Sequence, residues 1–157
     1  MDRLAADLGG EWRRSNNATI ARVTCHDQTL CLVKPNAEMN GIGPQLAKLQ
    51  ESEPFSPDDL IIVQDDLQLE IGRLKTRMKG SAGGHKGVAS VIGPFQSELI
   101  RRVKVGVGKP ENKGDVVDYV LSPFAAGVRN DVDAAYEKAA ERVKDLVKQS
   151  ASVRRPR

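Results

Sequence analysis

His85 lies in Gly80-Ser81-Ala82-Gly83-Gly84-His85-Lys86-Gly87, eight residues that hold four glycines and one of the chain's two histidines. Imidazole is the side chain whose ordinary pKa falls nearest neutrality, and glycines let a backbone approach a ligand closely. Just upstream, Arg73-Leu74-Lys75-Thr76-Arg77-Met78-Lys79 alternates cationic with other residues. In a strand, side chains at i and i+2 share a face, so Arg73, Lys75, Arg77 and Lys79 form one basic stripe. Downstream, Val88-Ala89-Ser90-Val91-Ile92 reads as a short helix, whose free N–H groups at its start favour an anion. A basic strand, a glycine turn with an imidazole and a helix start together point to chemistry beside a phosphate-bearing substrate. A second candidate is the carboxylate pair Asp65-Asp66, which follows the apolar run Leu60-Ile61-Ile62-Val63-Gln64. Such a run is the mark of a strand buried on both faces, and open α/β sheets bind ligands beyond the C-terminal ends of their strands. The other histidine, His26, reads as a solvated turn residue. No Cys/His cluster has metal-ligand spacing, so no metal is expected.

These residues need a scaffold, and 157 residues with 39% hydrophobic and 29% charged composition suffice for one domain with a real core. The net charge of +3 is modest. Its placement matters more, because Arg73 to Lys109 concentrates cations on a local patch, and phosphate binding depends on such patches rather than on total charge. No apolar run approaches ~18 residues, so no membrane span is expected, and the opening Met1 to Leu8 has no signal-peptide core. Along the chain, Leu4, Ala5 and Leu8 have helical spacing that Gly9-Gly10 ends. Arg13 to Asn17 reads as a polar loop. Thr19–Cys25 and Thr29–Lys34 flank His26-Asp27-Gln28 as a β-hairpin. Cys25 and Cys31 flank its turn, which leaves open that they face each other; two cysteines are no disulfide framework, and a reducing compartment is the default.

Asn40 to Gln50 reads as a helix with Ile42, Leu46 and Leu49 on one side and Pro44 in its first turn. Ser56-Pro57-Asp58-Asp59 has the form of an N-cap with proline at the first helical position. Leu99–Val107 is a further strand, Glu111 to Gly114 a polar loop, and Asp115 caps a short helix that Pro123 ends. Val128, Val132, Ala135, Ala139, Val143 and Leu146 give a long helix an apolar stripe from about 128 to 149. Alternating helices and strands predict an α/β fold, a single domain over residues 1–150 with a mixed, mostly parallel sheet and helices on both faces. Residues 151–157 read as a basic, disordered tail.

Five stretches taken together resemble bacterial-type peptidyl-tRNA hydrolase: Lys34-Pro35 with Met39-Asn40, Val63-Gln64-Asp65-Asp66-Leu67, Gly83-Gly84-His85-Lys86-Gly87, Arg102 to Pro110, and Tyr119-Val120-Leu121. They come in the family's order and at about its spacing, over roughly residues 30–124. The resemblance implies a cofactor-free hydrolase of the ester between a peptide and the 3′ ribose of tRNA. Asn40 matches an asparagine that binds substrate and helps to place the attacking water. Asp65 matches an aspartate that orients the catalytic histidine. Gly83, Gly84, His85 and Lys86 match a substrate-binding loop whose family form is Gly-Gly-His-Asn-Gly. Arg77 and Lys104, helped by Lys75, match a clamp on the tRNA 5′ phosphate.

The family pattern also opens with a central buried strand, a Gly-Asn-Pro-Gly turn and a Thr-Arg-His-Asn segment that carries the general-base histidine. This sequence has no counterpart of these, which implies an N-terminally truncated form of the fold and makes tRNA binding better supported than hydrolysis. Three readings follow: an esterase of this family, a non-catalytic tRNA- or RNA-binding relative that keeps the basic groove, and a nucleotide-binding module. The third ranks last because no Gly-Lys-Ser/Thr follows the glycines. His85 acting as the base, with Asp65 orienting it, is a further alternative. The expected partners are tRNA or peptidyl-tRNA, with room for a partner chain to cover a gap next to the Leu60–Gln64 strand. The expected compartment is the cytoplasm or an organelle matrix.

Overall fold

The two-residue turn His26-Asp27 shows how local sequence sets this architecture. Both residues have positive φ, 50° and 61°. That is the turn geometry whose twist matches an antiparallel pair. It joins strand β2 (Ala18–Cys25) to β3 (Gln28–Pro35), in register from Cys25 opposite Gln28 to Ala18 opposite Pro35. His26 is exposed, as expected of a turn residue. Arg22, not Cys25, lies opposite Cys31, so the two cysteines do not face each other, and both are free thiols. Burial pushes both thiols up, which removes them as nucleophiles.

The computed structural model describes residues 1–15, 18–110 and 112–154. The Arg13 to Asn17 stretch is not wholly a loop. Arg13–Arg14 forms strand β1, antiparallel to β2, while Asn16 and Asn17 lie outside the described residues. A second sheet holds β4 (Ile61–Asp66), β5 (Leu74–Arg77) and β6 (Arg101–Gly106) in the order β4-β6-β5. Here β4 runs parallel to β6 and β5 antiparallel to it. The sheet content is mixed, as expected, but among the described residues parallel pairing is confined to β4–β6. The tight turn between β2 and β3 makes those strands antiparallel neighbours, and the β4-to-β6 connection is long enough to keep that pair parallel.

The helices are α1 (Asp2–Asp7), α2 (Ile42–Leu49), α3 (Lys86–Phe95), α4 (Val116–Leu121) and α5 (Arg129–Arg154). The stripe read from the sequence is the core of α5: Val132, Ala135, Ala139, Val143 and Leu146 are buried, against Leu4 and Ala5 of α1, Ala21 and Val23 of β2, and Val103 and Val105 of β6. The α5 helix continues to Arg154, so the first four residues of the expected disordered tail are helical; residues 155–157 lie outside the described ones. Ser56 opens a 3₁₀ turn, Pro57–Asp59, and both its N–H and its hydroxyl donate to the Asp59 carboxylate. Lys113–Asp115 is also a 3₁₀ turn, and Glu111 before it lies outside the described residues. Asp115 stands at the N-cap of α4 without a capping bond from its side chain, which accepts instead from Asn112 Nδ2 at 3.4 Å.

Glycines allow α2 and α3 to cross closely. A Cβ at Gly43 would lie 1.7 Å from the Ser90 carbonyl oxygen. The Gly43 N–H donates to Ser90 Oγ at 2.7 Å, and that hydroxyl donates to the Asn40 carbonyl at 3.0 Å. One serine thus ties the turn carrying Asn40 to the helix that begins at the glycine loop.

Candidate active site

His85 is the N-cap of α3, with extended backbone, φ −79° and ψ 110°. The Val88 N–H donates to its Nδ1 at 3.3 Å, so Nδ1 is an acceptor and the ring proton sits on Nε2. Nε2 lies 3.3 Å from Asp65 Oδ1, at the end of β4. The two residues that the sequence singled out from separate stretches are therefore hydrogen-bonded. Both are half-buried, and the bond from His85 holds the Asp65 carboxyl below its usual range against the opposing effect of burial. The arrangement also assigns roles. An imidazole with one nitrogen accepting a backbone N–H and the other donating to a carboxylate has no lone pair left for a water. His85 in this geometry donates to the Asp65 carboxylate, which favours its charged form, and starts α3.

The glycine turn has its own support. Gly83 and Gly84 have φ of 58° and 84°, with open space where a Cβ would be, so conformation and not crowding selects glycine there. At Gly87 the reason is contact, because a Cβ would fall 2.8 Å from Met39 Sδ and 3.2 Å from His85 Cε1. Met39 begins the 3₁₀ turn Met39–Gly41, so Asn40 is carried beside the start of α3. Asn40 is exposed; its carbonyl is held by Ser90. Lys86, the first residue of α3, is exposed as well.

Arg102 supports the turn from below. It is 2% exposed, and its guanidinium donates to the carbonyls of Ser81, at 2.6 Å, and Gly80. Burial lowers its pKa, and Glu98 opposes that shift. A guanidinium remains protonated in such a site. Sequence reading counted Arg102 among the cations of the local patch between Arg73 and Lys109. The signal it missed was non-local: the glycine loop folds over that end of β6.

The basic face is real but uneven. Across β5 and β6, Lys75 lies opposite Lys104 and Arg77 opposite Arg102. Cross-strand partners project to the same side, so the sheet sets four cations on one face. Lys75 and Arg77 are exposed and make no ion pair among the described residues. Lys104 differs: its Nζ donates to Asp66 Oδ2 at 2.7 Å, with both side chains largely buried. Burial alone would raise the Asp66 carboxyl, but the Lys104 bond and the Gln68 N–H at 2.8 Å outweigh it, and its pKa is lowered. Lys104 is thus already partnered, and Arg77 and Lys75 carry the open charge. Among the described residues, no group of three or more His, Cys, Asp or Glu side chains could hold a metal ion. No helix among them is long and apolar enough to cross a membrane.

Fold and site together define an α/β domain with a carboxylate–imidazole pair at a strand end, a glycine turn beside it and a cationic face on the same sheet. A family model described as Peptidyl-tRNA hydrolase matches residues 1–155. The chain belongs to that family. A peptidyl-tRNA hydrolase of Persephonella marina is 40% identical over 150 residues, covering 92% of this chain and 79% of the relative. One from Listeria welshimeri is 35% identical over 147 residues, covering 93% and 79%. The solved peptidyl-tRNA hydrolase of Acinetobacter baumannii superposes with a TM-score of 0.86 at 23% identity, over 96% of this chain and 78% of that one, a likeness of fold.

Proposed function

We propose that the chain binds peptidyl-tRNA, with the nucleic acid on the β5–β6 face and the ester linkage at Asn40, Asp65 and the Gly83–Lys86 turn. The observation that carries this reading is one sheet that holds the exposed Lys75 and Arg77 on β5 and, at the end of β4, the Asp65 carboxylate bonded to His85, in a chain of this family. Arg77 and Lys75 make the principal phosphate contacts, and Lys104 joins them on release from Asp66.

Hydrolysis of such an ester adds water to the carbonyl carbon and expels the 3′ ribose oxygen, which takes up a proton. It needs a base for the water and donors for the developing oxyanion. Lys86 and the Asn40 amide are exposed donors on that side. The base is the weak point. His85 has both nitrogens engaged, and Asp65 is held as an anion by its hydrogen bond, which makes it a poor proton acceptor. The same observation favours the second reading, a tRNA binder with little turnover, over a fully active enzyme. A positioned base supplies ~10²–10⁴-fold in rate, and turnover slower than an efficient relative by about that factor is the expected result.

Two measurements test this. Arg77→Ala is expected to weaken tRNA binding about tenfold, since a charge-assisted contact is worth roughly 1.5–3 kcal/mol. Unchanged affinity in Arg77→Ala combined with Lys104→Ala refutes the clamp. Fast single-turnover hydrolysis that His85→Ala abolishes refutes the role given to His85 and makes it the general base.

A further inference from the structure

Gly83 and Gly84 leave the middle of the glycine turn with little restraint of its own, so its shape depends on what holds its two ends. The exit is held by the His85 N–H, which donates to the Ala82 carbonyl at 3.2 Å, and by the bonds of the imidazole to Val88 and Asp65. At the entry the Gly80 N–H donates to the Glu98 carbonyl at 2.9 Å. The Gly80 and Ser81 carbonyls accept from Arg102 Nη2 and Nη1, and Arg102 Nε reaches the Ile100 carbonyl at 3.5 Å. The acceptors of this buried guanidinium are thus main-chain carbonyls. Burying a cation is a poor way to gain stability, but a planar fork that spans two consecutive carbonyls is a good way to fix a turn. Register adds a second point. Arg102 lies opposite Arg77, so by sheet position it belongs to the cationic face, yet its donors are spent on the turn.

We propose that Arg102 is a positioning residue: it holds the entry of the glycine turn so that His85 meets Asp65, and it sets the rate at which a bound ester reacts without itself holding the nucleic acid. The part of this that concerns the ester rests on the function proposed above. Without the guanidinium, Gly80 keeps its bond to Glu98, but the segment that leads through Gly83 and Gly84 to His85 loses its floor. The imidazole then samples orientations in which Nε2 no longer faces Asp65. Lysine in the same place keeps the charge but replaces the fixed fork by a single ammonium centre on a flexible stem, so it is a poor substitute. Arg77 and Arg102, neighbours on one face, therefore divide the work: the exposed one meets phosphate and the buried one meets backbone.

The test compares the whole chain with Arg102→Lys. The first readout is the ¹⁵N spectrum of the His85 ring, which separates the two neutral tautomers and needs no RNA. The unaltered chain is expected to show the Nε2–H form alone, and Arg102→Lys a mixture of both. The second readout uses an N-acetylated aminoacyl-tRNA. Its affinity in Arg102→Lys is expected to stay within about twofold, with the same salt slope, because the buried guanidinium neutralises no phosphate. Its single-turnover hydrolysis is expected to slow about 10–100-fold, as misplacement of a site does. A single Nε2–H tautomer together with an unchanged rate in Arg102→Lys overturns the proposal. So does a salt slope lowered by about one, which makes Arg102 a phosphate contact. If the unaltered chain neither binds nor hydrolyses this tRNA, the proposed function fails, and the ring spectrum alone decides the role of Arg102. If Arg102→Lys does not fold, couplings through the hydrogen bonds from Arg102 Nη to the Gly80 and Ser81 carbonyl carbons decide it on the unaltered chain. They are expected to persist when the tRNA is bound, and their loss on binding overturns the proposal.

Discussion

Asp66 and Lys104 set the balance of the cationic face. If Asp66 shields Lys104, removing the carboxylate charge while keeping its shape frees a lysine for phosphate. Asp66→Asn is therefore expected to strengthen tRNA binding several-fold at low salt, and Lys104→Ala to weaken it less than Arg77→Ala, both read by titration at matched ionic strength. Asp65 and Asp66 also link stability to pH. Their folded pKa values lie below the ordinary carboxylate value of 3.8, so their contribution is present above that pH and is lost as pH falls through the lowered values. Unfolding midpoints are expected to drop below about pH 4, and to drop less steeply in Asp66→Asn. Single residues were legible where chemistry and position coincide. Asp65 and His85 stood out because a strand end and a glycine turn are where ligands meet backbones. Arg102 did not, because only the fold shows that a cation on the basic face is covered by carbonyls.

The α2–α3 crossing is the element-scale feature that most constrains the site. Ser90 bonds Gly43 and the Asn40 carbonyl at once, and a Cβ at Gly43 would overlap the Ser90 carbonyl. Gly43→Ala is expected to lose about 1–3 kcal/mol or more in urea unfolding, since the helices must part to admit a methyl group. Gly83→Ala, with free space but φ of 58°, is expected to lose only about 1–2 kcal/mol, through conformation alone. Elements with a clean local signature were readable: the hairpin, the apolar β4 run and the α5 stripe. The α5 end was not, because a basic C-terminal sequence continues a helix as readily as it frays from one. The cysteine arrangement was not either, since strand parity puts Cys25 and Cys31 out of register, and that depends on a turn of two residues rather than three.

For the whole molecule, the α/β class followed from the alternation of elements, and the family from the order of five short motifs. The division into two three-stranded sheets was not visible, because pairing partners are set by contacts between residues far apart in sequence. The division has a measurable counterpart in binding. The cationic face lies on one sheet, so tRNA affinity is expected to fall log-linearly with salt, at roughly 0.7–0.9 per phosphate neutralised. Arg77→Ala should lower that slope by about one, whereas Arg22→Ala on the other sheet should leave it unchanged.

The His26-Asp27 turn also sets a kinetic order. Its register pairs residues close in sequence, whereas Ile61 must find Arg101 forty positions on, across a long loop. Loop closure opposes the second pairing more than the first, so the β2–β3 hairpin is the earlier event and the parallel pair the slow one. Both turn residues carry a side chain in the left-handed region, where glycine is freer. Relieving that strain with Asp27→Gly is expected to speed refolding in stopped-flow measurements and to leave the unfolding limb almost unmoved, the behaviour of a contact already made in the transition state.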